Sequence, residues 1–180
     1  MAKYFLQLLR PNYDMLCIFS NPSALTQYQD LLPDKSVKLY DHLAEEKIAE
    51  LFRINEERIQ KGRRAVSVLL LFDDSLSRTN RYNEQLNRCF QFGRINKICP
   101  IVLQQNIKEV VPTIRSNSDY FICFKVRTQS EKQYVYEHLL NSVCSTKKEA
   151  FAVIDNLEPY QAIMASWVDG KTKVVLITGP

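Results

Sequence analysis

The run Ala65-Val66-Ser67-Val68-Leu69-Leu70-Leu71-Phe72-Asp73-Asp74 carries eight residues, nearly all apolar and with no turn former, straight into two adjacent carboxylates. An uninterrupted apolar run of this length reads as a strand buried on both faces, the pattern of a parallel sheet with helices above and below. Its abrupt end is the informative part. Two neighbouring acids repel each other and lose hydration wherever they are partly buried, so something must offset that cost. A solvated turn does so in the simplest way, since acids are common just past strands. A bound cation is the other way, and the flanking sequence bears on the choice.

Working outward, residues 3–10 read as a helix stopped by Pro11, and Tyr13 to Phe19 as a strand closed by Ser20-Asn21-Pro22. Ala24 to Leu32 is a short helix and Val37 to Tyr40 a short strand. Asp41 is the expected cap of a long amphipathic helix with Ala44, Ile48, Leu51, Phe52 and Ile59 at helical spacing, ended by Lys61-Gly62. Past the acid pair, Thr79 is the expected cap of a helix with Tyr82, Leu86, Cys89 and Phe90 on one face, ending at Gly93. Ile98 to Leu103 is an apolar strand with Pro100 expected near its start. Tyr120 to Val126 reads as a strand, Glu131 to Val143 as a helix, and Ala150–Ile154 as strand-like. Tyr160–Trp167 and Lys173–Ile177 read as a hairpin about Asp169-Gly170. Strands alternating with helices imply βαβ units and a mainly parallel sheet, with an antiparallel addition at the C-terminus.

Composition narrows the class. The 180 residues are 46% apolar and 24% charged, ordinary for a globular domain with a real core, and the net charge of +4 is too small to argue for nucleic acid. Five cysteines without a CxxC pair suit buried reduced thiols in an intracellular protein better than disulfides or zinc. No membrane span or signal peptide is expected. His42 and His138 have no ligand or catalytic motif around them.

The strand after the acid pair ends at Leu103-Gln104-Gln105, and Pro112-Thr113-Ile114-Arg115-Ser116-Asn117-Ser118-Asp119-Tyr120 follows. In an open parallel sheet, chemistry gathers beyond the carboxyl ends of neighbouring strands, so the amide and the acids would share one crevice. In P-loop NTPases this position holds the Walker B acids, one on Mg²⁺ and one on the attacking water. The order LLLFDD, a helix rich in Arg and Asn, a strand ending in Gln, then PTIRSNSDY and FKV resembles the genome-packaging ATPases of large DNA viruses, a poxvirus-type branch of the FtsK–HerA P-loop superfamily. YDMLCIFS, soon after the first helix, fits as well. The resemblance spans residues 3–145 and rests on LLLFDD and PTIRSNSDY in that order.

That resemblance implies a RecA-like three-layer α/β sandwich: residues 1–145 as an incomplete ATPase core and residues 146–180 as a β extension of the same domain. It implies Asp73 as the acid holding Mg²⁺ through water, Asp74 as the catalytic carboxylate, Gln105 or Gln104 as the γ-phosphate sensor, and Arg115 as the arginine completing a neighbouring subunit's site. ATP and Mg²⁺ are the implied cofactors; double-stranded DNA, a homo-oligomeric ring and viral capsid proteins are the implied partners. The sequence departs from the family where G-x-x-x-x-G-K-[ST] belongs, with no glycine before Gly62. The chain starts where the helix after a phosphate loop would, so the first strand and loop are expected to be absent, with Lys3 the nearest stand-in for the P-loop lysine and Tyr4 in place of its hydroxyl partner. A clipped ATPase inactive in isolation, a non-catalytic pseudo-ATPase module or viral remnant, and an unrelated α/β protein all stay open. Arg78, Arg81, Arg88 and Arg94 form a cationic stretch that suits a solvated helix face, a DNA backbone or a neighbouring protomer.

Overall fold

The computed structural model of the chain describes residues 2–76, 82–168 and 171–179. They form two compact units, Met1–Ile114 and Arg115–Pro180.

The first unit is α/β with a parallel sheet. Helix α1 (Ala2–Leu9) leads through a short 3-10 turn into β1 (Met15–Ser20); α2 (Pro22–Leu25) runs on as a 3-10 helix to Leu31 and is followed by β2 (Val37–Tyr40). Then come α3 (Glu45–Gln60), β3 (Val68–Asp73), α4 (Glu84–Phe92) and β4 (Ile98–Leu103), and the short α5 (Pro112–Ser116) spans the boundary at Ile114. The strand order is β2-β1-β3-β4, all parallel. Alternation along β1 and β3 divides the apolar residues between two layers. Cys17, Phe19, Val68, Leu70 and Phe72 pack with Ile48 and Phe52 of α3 and Leu86 and Cys89 of α4. Leu16, Ile18, Leu69 and Leu71 pack on the opposite face with Leu6 of α1 and Tyr28. Every apolar residue of β3 from Val68 to Phe72 is buried, as a central parallel strand requires.

Several local expectations are corrected. Asp41 does not cap α3: the helix begins at Glu45 after Ala44, and the Asp41 carboxylate faces the His42 ring at 2.7 Å instead. Asn83 caps α4, its Oδ1 accepting from the Leu86 N–H at 2.9 Å; Thr79 lies outside the described residues, as do Arg78 and Arg81. Pro100 is the third residue of β4, and the sheet tolerates it because β4 is an edge strand. The Lys97 and Leu103 carbonyls accept from Val68 and Asp74. Alternation therefore turns the missing N–H of Pro100 away from β3, towards the open edge.

In the second unit, β5 (Tyr120–Phe124), β6 (Gln161–Val168) and β7 (Lys171–Thr178) form an antiparallel sheet in the order β5-β6-β7. Helix α6 (Gln129–Val135) continues as a π turn to Leu140, and α7 (Lys147–Asp155) follows. The β6–β7 hairpin is as expected, with its turn Asp169-Gly170 outside the described residues. The strand expected at Ala150–Ile154 is the core of α7: Thr146 Oγ1 accepts from the Glu149 N–H at 3.2 Å, and Ala150 and Ile154, one helical turn apart, are buried. The five cysteines are free thiols, four of them buried. Burial pushes the Cys17, Cys89 and Cys123 thiols up to about 12.

Candidate functional site

Register brings Ser20, Asp73 and Leu103 side by side at the carboxyl ends of β1, β3 and β4. Ser20, fully buried, donates its hydroxyl to the Asp73 carbonyl at 2.8 Å, which ties the end of β1 to the end of β3. The chain then turns sharply. Asp74 has φ +48°, a left-handed conformation that Asp tolerates better than most residues because its short side chain bonds locally. Its N–H donates to the Leu103 carbonyl at 3.0 Å, extending the β3–β4 ladder by one residue. The two carboxylates therefore part company at the strand end.

Each takes a different partner. Asp73 Oδ2 accepts from the Tyr28 hydroxyl at 2.7 Å and from Gln27 Nε2 at 2.9 Å. Tyr28 is fully buried, with its ring in the core beneath the sheet and its oxygen at the strand end. Burial first, then the hydrogen bond to Asp73 and the charge of that carboxylate, raises the Tyr28 phenol above its ordinary range, so it stays a neutral donor. Asp74 Oδ2 accepts from Gln105 Nε2 at 3.0 Å. Gln104 turns elsewhere, donating to Glu109 Oε2 at 2.6 Å. Of the two neighbouring amides, Gln105 is the one that reaches the acid pair.

The other predicted residues have different surroundings, or a side chain outside the described residues. Arg115 begins the second unit, where its guanidinium bonds the Tyr134 hydroxyl and lies 5.2 Å from the centre of that ring. Lys3 lies in α1, with its side chain outside the described residues. Arg88 is held by Glu56 and stacked 4.2 Å over the Phe52 ring, which makes it a structural cation of the α3–α4 layer rather than one extended towards a phosphate backbone. Ser20, Gln27 and Tyr28 were missed by sequence reasoning. Tyr28 sits at an apolar helical position, and nothing local signals that its oxygen meets an acid 45 residues away.

The donor set can be tested against the implied Mg²⁺ and nucleotide. Mg²⁺ binds through one or two carboxylates and leaves its remaining positions to water and phosphate oxygens. Asp73 and Asp74 match that demand, since the hydrogen bonds described fall on Oδ2 of each. No cluster of three or more His, Cys, Asp or Glu side chains gathers among the described residues, so the acids suit a shared ion better than a protein-only cage. The nucleotide's phosphates fit less well. The two glycines of the first unit, Gly62 and Gly93, precede β3 and β4 at the opposite end of the sheet. No helix among the described residues is long and apolar enough to cross a membrane.

The same arrangement of elements occurs in solved structures. The genome-packaging NTPase B204 of Sulfolobus turreted icosahedral virus 2, in complex with AMPPCP, matches 98% of this chain and 88% of its own at 15% identity, with a TM-score of 0.65. B204, described as the DNA-packaging ATPase of Sulfolobus turreted icosahedral virus, gives 13% identity over 99% of this chain and 88% of its own, with a TM-score of 0.64. The second and third ATPases of EssC from Geobacillus thermodenitrificans match 91% of this chain and 33% of that one at 14% identity, with a TM-score of 0.60. The fold is RecA-like. No family model matches the sequence, and no curated protein does. At these identities the likeness is one of fold, and the chemistry rests on the residues above.

Proposed function

We propose that the chain is the nucleotide-handling core of a DNA-packaging-type ATPase. The observation that carries this is the Asp73-Asp74 pair at the end of β3, with Gln105, just past the end of neighbouring β4, bonded to Asp74, in a RecA-like sheet. Asp73, oriented by Tyr28 and Gln27, would hold Mg²⁺, which neutralises phosphate charge when bound. Asp74 accepts a proton from the attacking water, and Gln105 orients that water and senses the γ-phosphate. Arg115 belongs in a neighbouring subunit's site, which requires a homo-oligomeric ring moving double-stranded DNA, with capsid proteins as further partners. Lys3 would be the nearest stand-in in sequence for the P-loop lysine. The poxvirus-type branch of the FtsK–HerA superfamily is the group whose motifs the chain follows.

One observation favours a second reading, a pseudo-ATPase interaction module. The 180 residues contain no G-x-x-x-x-G-K-[ST], and each charge-assisted phosphate hydrogen bond that such a loop supplies is worth about 1.5–3 kcal/mol. This chain alone should therefore bind Mg-ATP weakly and not turn it over usefully. Titration calorimetry of the full chain with ATP, with and without Mg²⁺, separates the readings. Mg²⁺-dependent binding that Asp73→Asn abolishes supports the ATPase core. Binding indifferent to Asp73 removes its assigned Mg²⁺ role; undetectable binding leaves a core lacking its phosphate loop and the module both standing.

A further inference from the structure

At the amino end of β3 and β4, away from the acid pair, the first unit has a groove of about 460 Å³ between the C-terminal halves of α3 and α4. Ile59, Phe92 and Ile95 line it and remain 43%, 51% and 72% exposed. Three large apolar side chains left in water in one concavity are unusual on a self-sufficient surface. The walls are fixed. Glu56 and Arg88 form an ion pair across the two helices, with Arg88 braced on the Phe52 ring. Asn55, 1% exposed, donates to the Val66 and Asn96 carbonyls and accepts from the Val66 N–H, which locks the two bounding turns together. Asn96, 5% exposed, also lines the groove, and its Oδ1 has no hydrogen-bond partner among the described residues.

We propose that this groove docks an acidic, amphipathic segment of a partner protein. The charge on its rim argues for the sign. Residues 61–64 and 93–97, the two bounding turns, contain Lys61, Arg63, Arg64, Arg94 and Lys97 and no carboxylate; Glu57, 3.8 Å from Lys61, and Asp14, 3.2 Å from Arg64, offset two of these exposed charges and leave the turns net positive. The Glu56–Arg88 pair inside cancels itself, so the rim is cationic around an apolar floor. An occupant must bring apolar anchors for Ile59, Phe92 and Ile95 and carboxylates for the rim, and an amphipathic acidic peptide supplies both. A nucleic-acid backbone supplies only the negative charge, and single strands call for stacking platforms, of which the groove offers one, Phe92. The surface is independent of the acid pair, so it serves either reading of the chain's function.

The test uses the full ¹⁵N-labelled chain and a synthetic peptide with Leu at i, i+3, i+4 and i+7 and Glu elsewhere. Its controls are the same peptide with Lys for Glu, and duplex and single-stranded DNA oligonucleotides. The Glu peptide is expected to shift the amides of residues 59, 92 and 95 and to bind at least about tenfold tighter than the Lys peptide. Ile95→Asp, at an exposed position that should not disturb folding, is expected to weaken it at least about tenfold. Phe92→Ser, checked by its melting curve, should do the same. Equal affinity for both peptides, indifference to Ile95→Asp, stronger displacement of the same amides by DNA, or self-association through this face would each overturn the proposal.

Discussion

Replacing Tyr28 by Phe removes one oxygen from beneath the acid pair and leaves the buried ring in place. A hydrogen bond to a charged group is worth about 1.5–3 kcal/mol. The Asp73 carboxylate is half-buried and keeps its bond from Gln27, so water recovers part of the loss and a net cost of about 1–2 kcal/mol is expected. In a chain of this size that lowers Tm by roughly 2–8 °C. The pH dependence gives a second, sharper reading. The folded chain holds the Tyr28 proton more tightly than the unfolded chain does, because burial and Asp73 raise the phenol above its ordinary 10.0. Stability from a raised pKa is fully present below the unfolded value and is lost as pH rises through the folded one. The wild type should therefore lose this contribution above pH 10 at up to about 1.4 kcal/mol per pH unit, while the Phe variant has none to lose. The two curves should converge within about one unit above pH 10. Cys17 and Cys89, pushed up to about 12, steepen the alkaline loss in both proteins alike, so the difference isolates Tyr28. Urea unfolding followed from pH 7 to 11 is the assay. A Phe variant within about 0.5 kcal/mol of wild type at pH 7, or curves that run parallel above pH 10, would refute the Tyr28–Asp73 coupling.

Asn55→Ala strips three hydrogen bonds, one buried and two part-buried, from the Val66 and Asn96 backbone and should cost about 2–4 kcal/mol by denaturant unfolding, far more than an exposed substitution on α3. Gly93→Ala places a Cβ 2.2 Å from the Cys89 carbonyl oxygen and 2.5 Å from that of Ile98, so the α4–β4 junction must move; a Tm within about 1 °C of wild type would contradict this packing. If the chain binds Mg-ATP, Gln105→Ala should alter the response to the γ-phosphate, seen as a changed ATP-to-ADP affinity ratio, whereas Gln104→Ala should leave that ratio alone. Iodoacetamide at pH 8 should leave Cys17, Cys89 and Cys123 unmodified in the folded chain and label all three in urea, as mass spectrometry of the peptides would show.

Much of the first unit was legible from residue patterns because its constraints are local. Val68–Phe72 can only be a central strand, and β2, α3 and β4 lie close to their expected bounds because apolar spacing sets them. The misread segment Ala150–Ile154 carried a signal that was available: Thr146 and Glu149 are spaced as a helix cap, and the cap decides between helix and strand where a short apolar run is ambiguous. Asp41 shows the converse, a good capping residue too far from the first helical turn to serve.

The candidate site divides along the same line. Its acids and amide are visible in sequence because each ends an apolar strand, and a parallel sheet brings successive strand ends to one edge. The sequence by itself thus determined the α/β character of the first unit, its central strand and the carboxylates that terminate it. Only the tertiary structure decided that Tyr28 and Gln27 hold Asp73, that Gln105 and not Gln104 meets Asp74, and that β5 pairs with the C-terminal hairpin. Those outcomes depend on register, on a left-handed turn at a single aspartate and on contacts between residues far apart in the chain. Local propensity, set by near neighbours alone, carries no information about any of them.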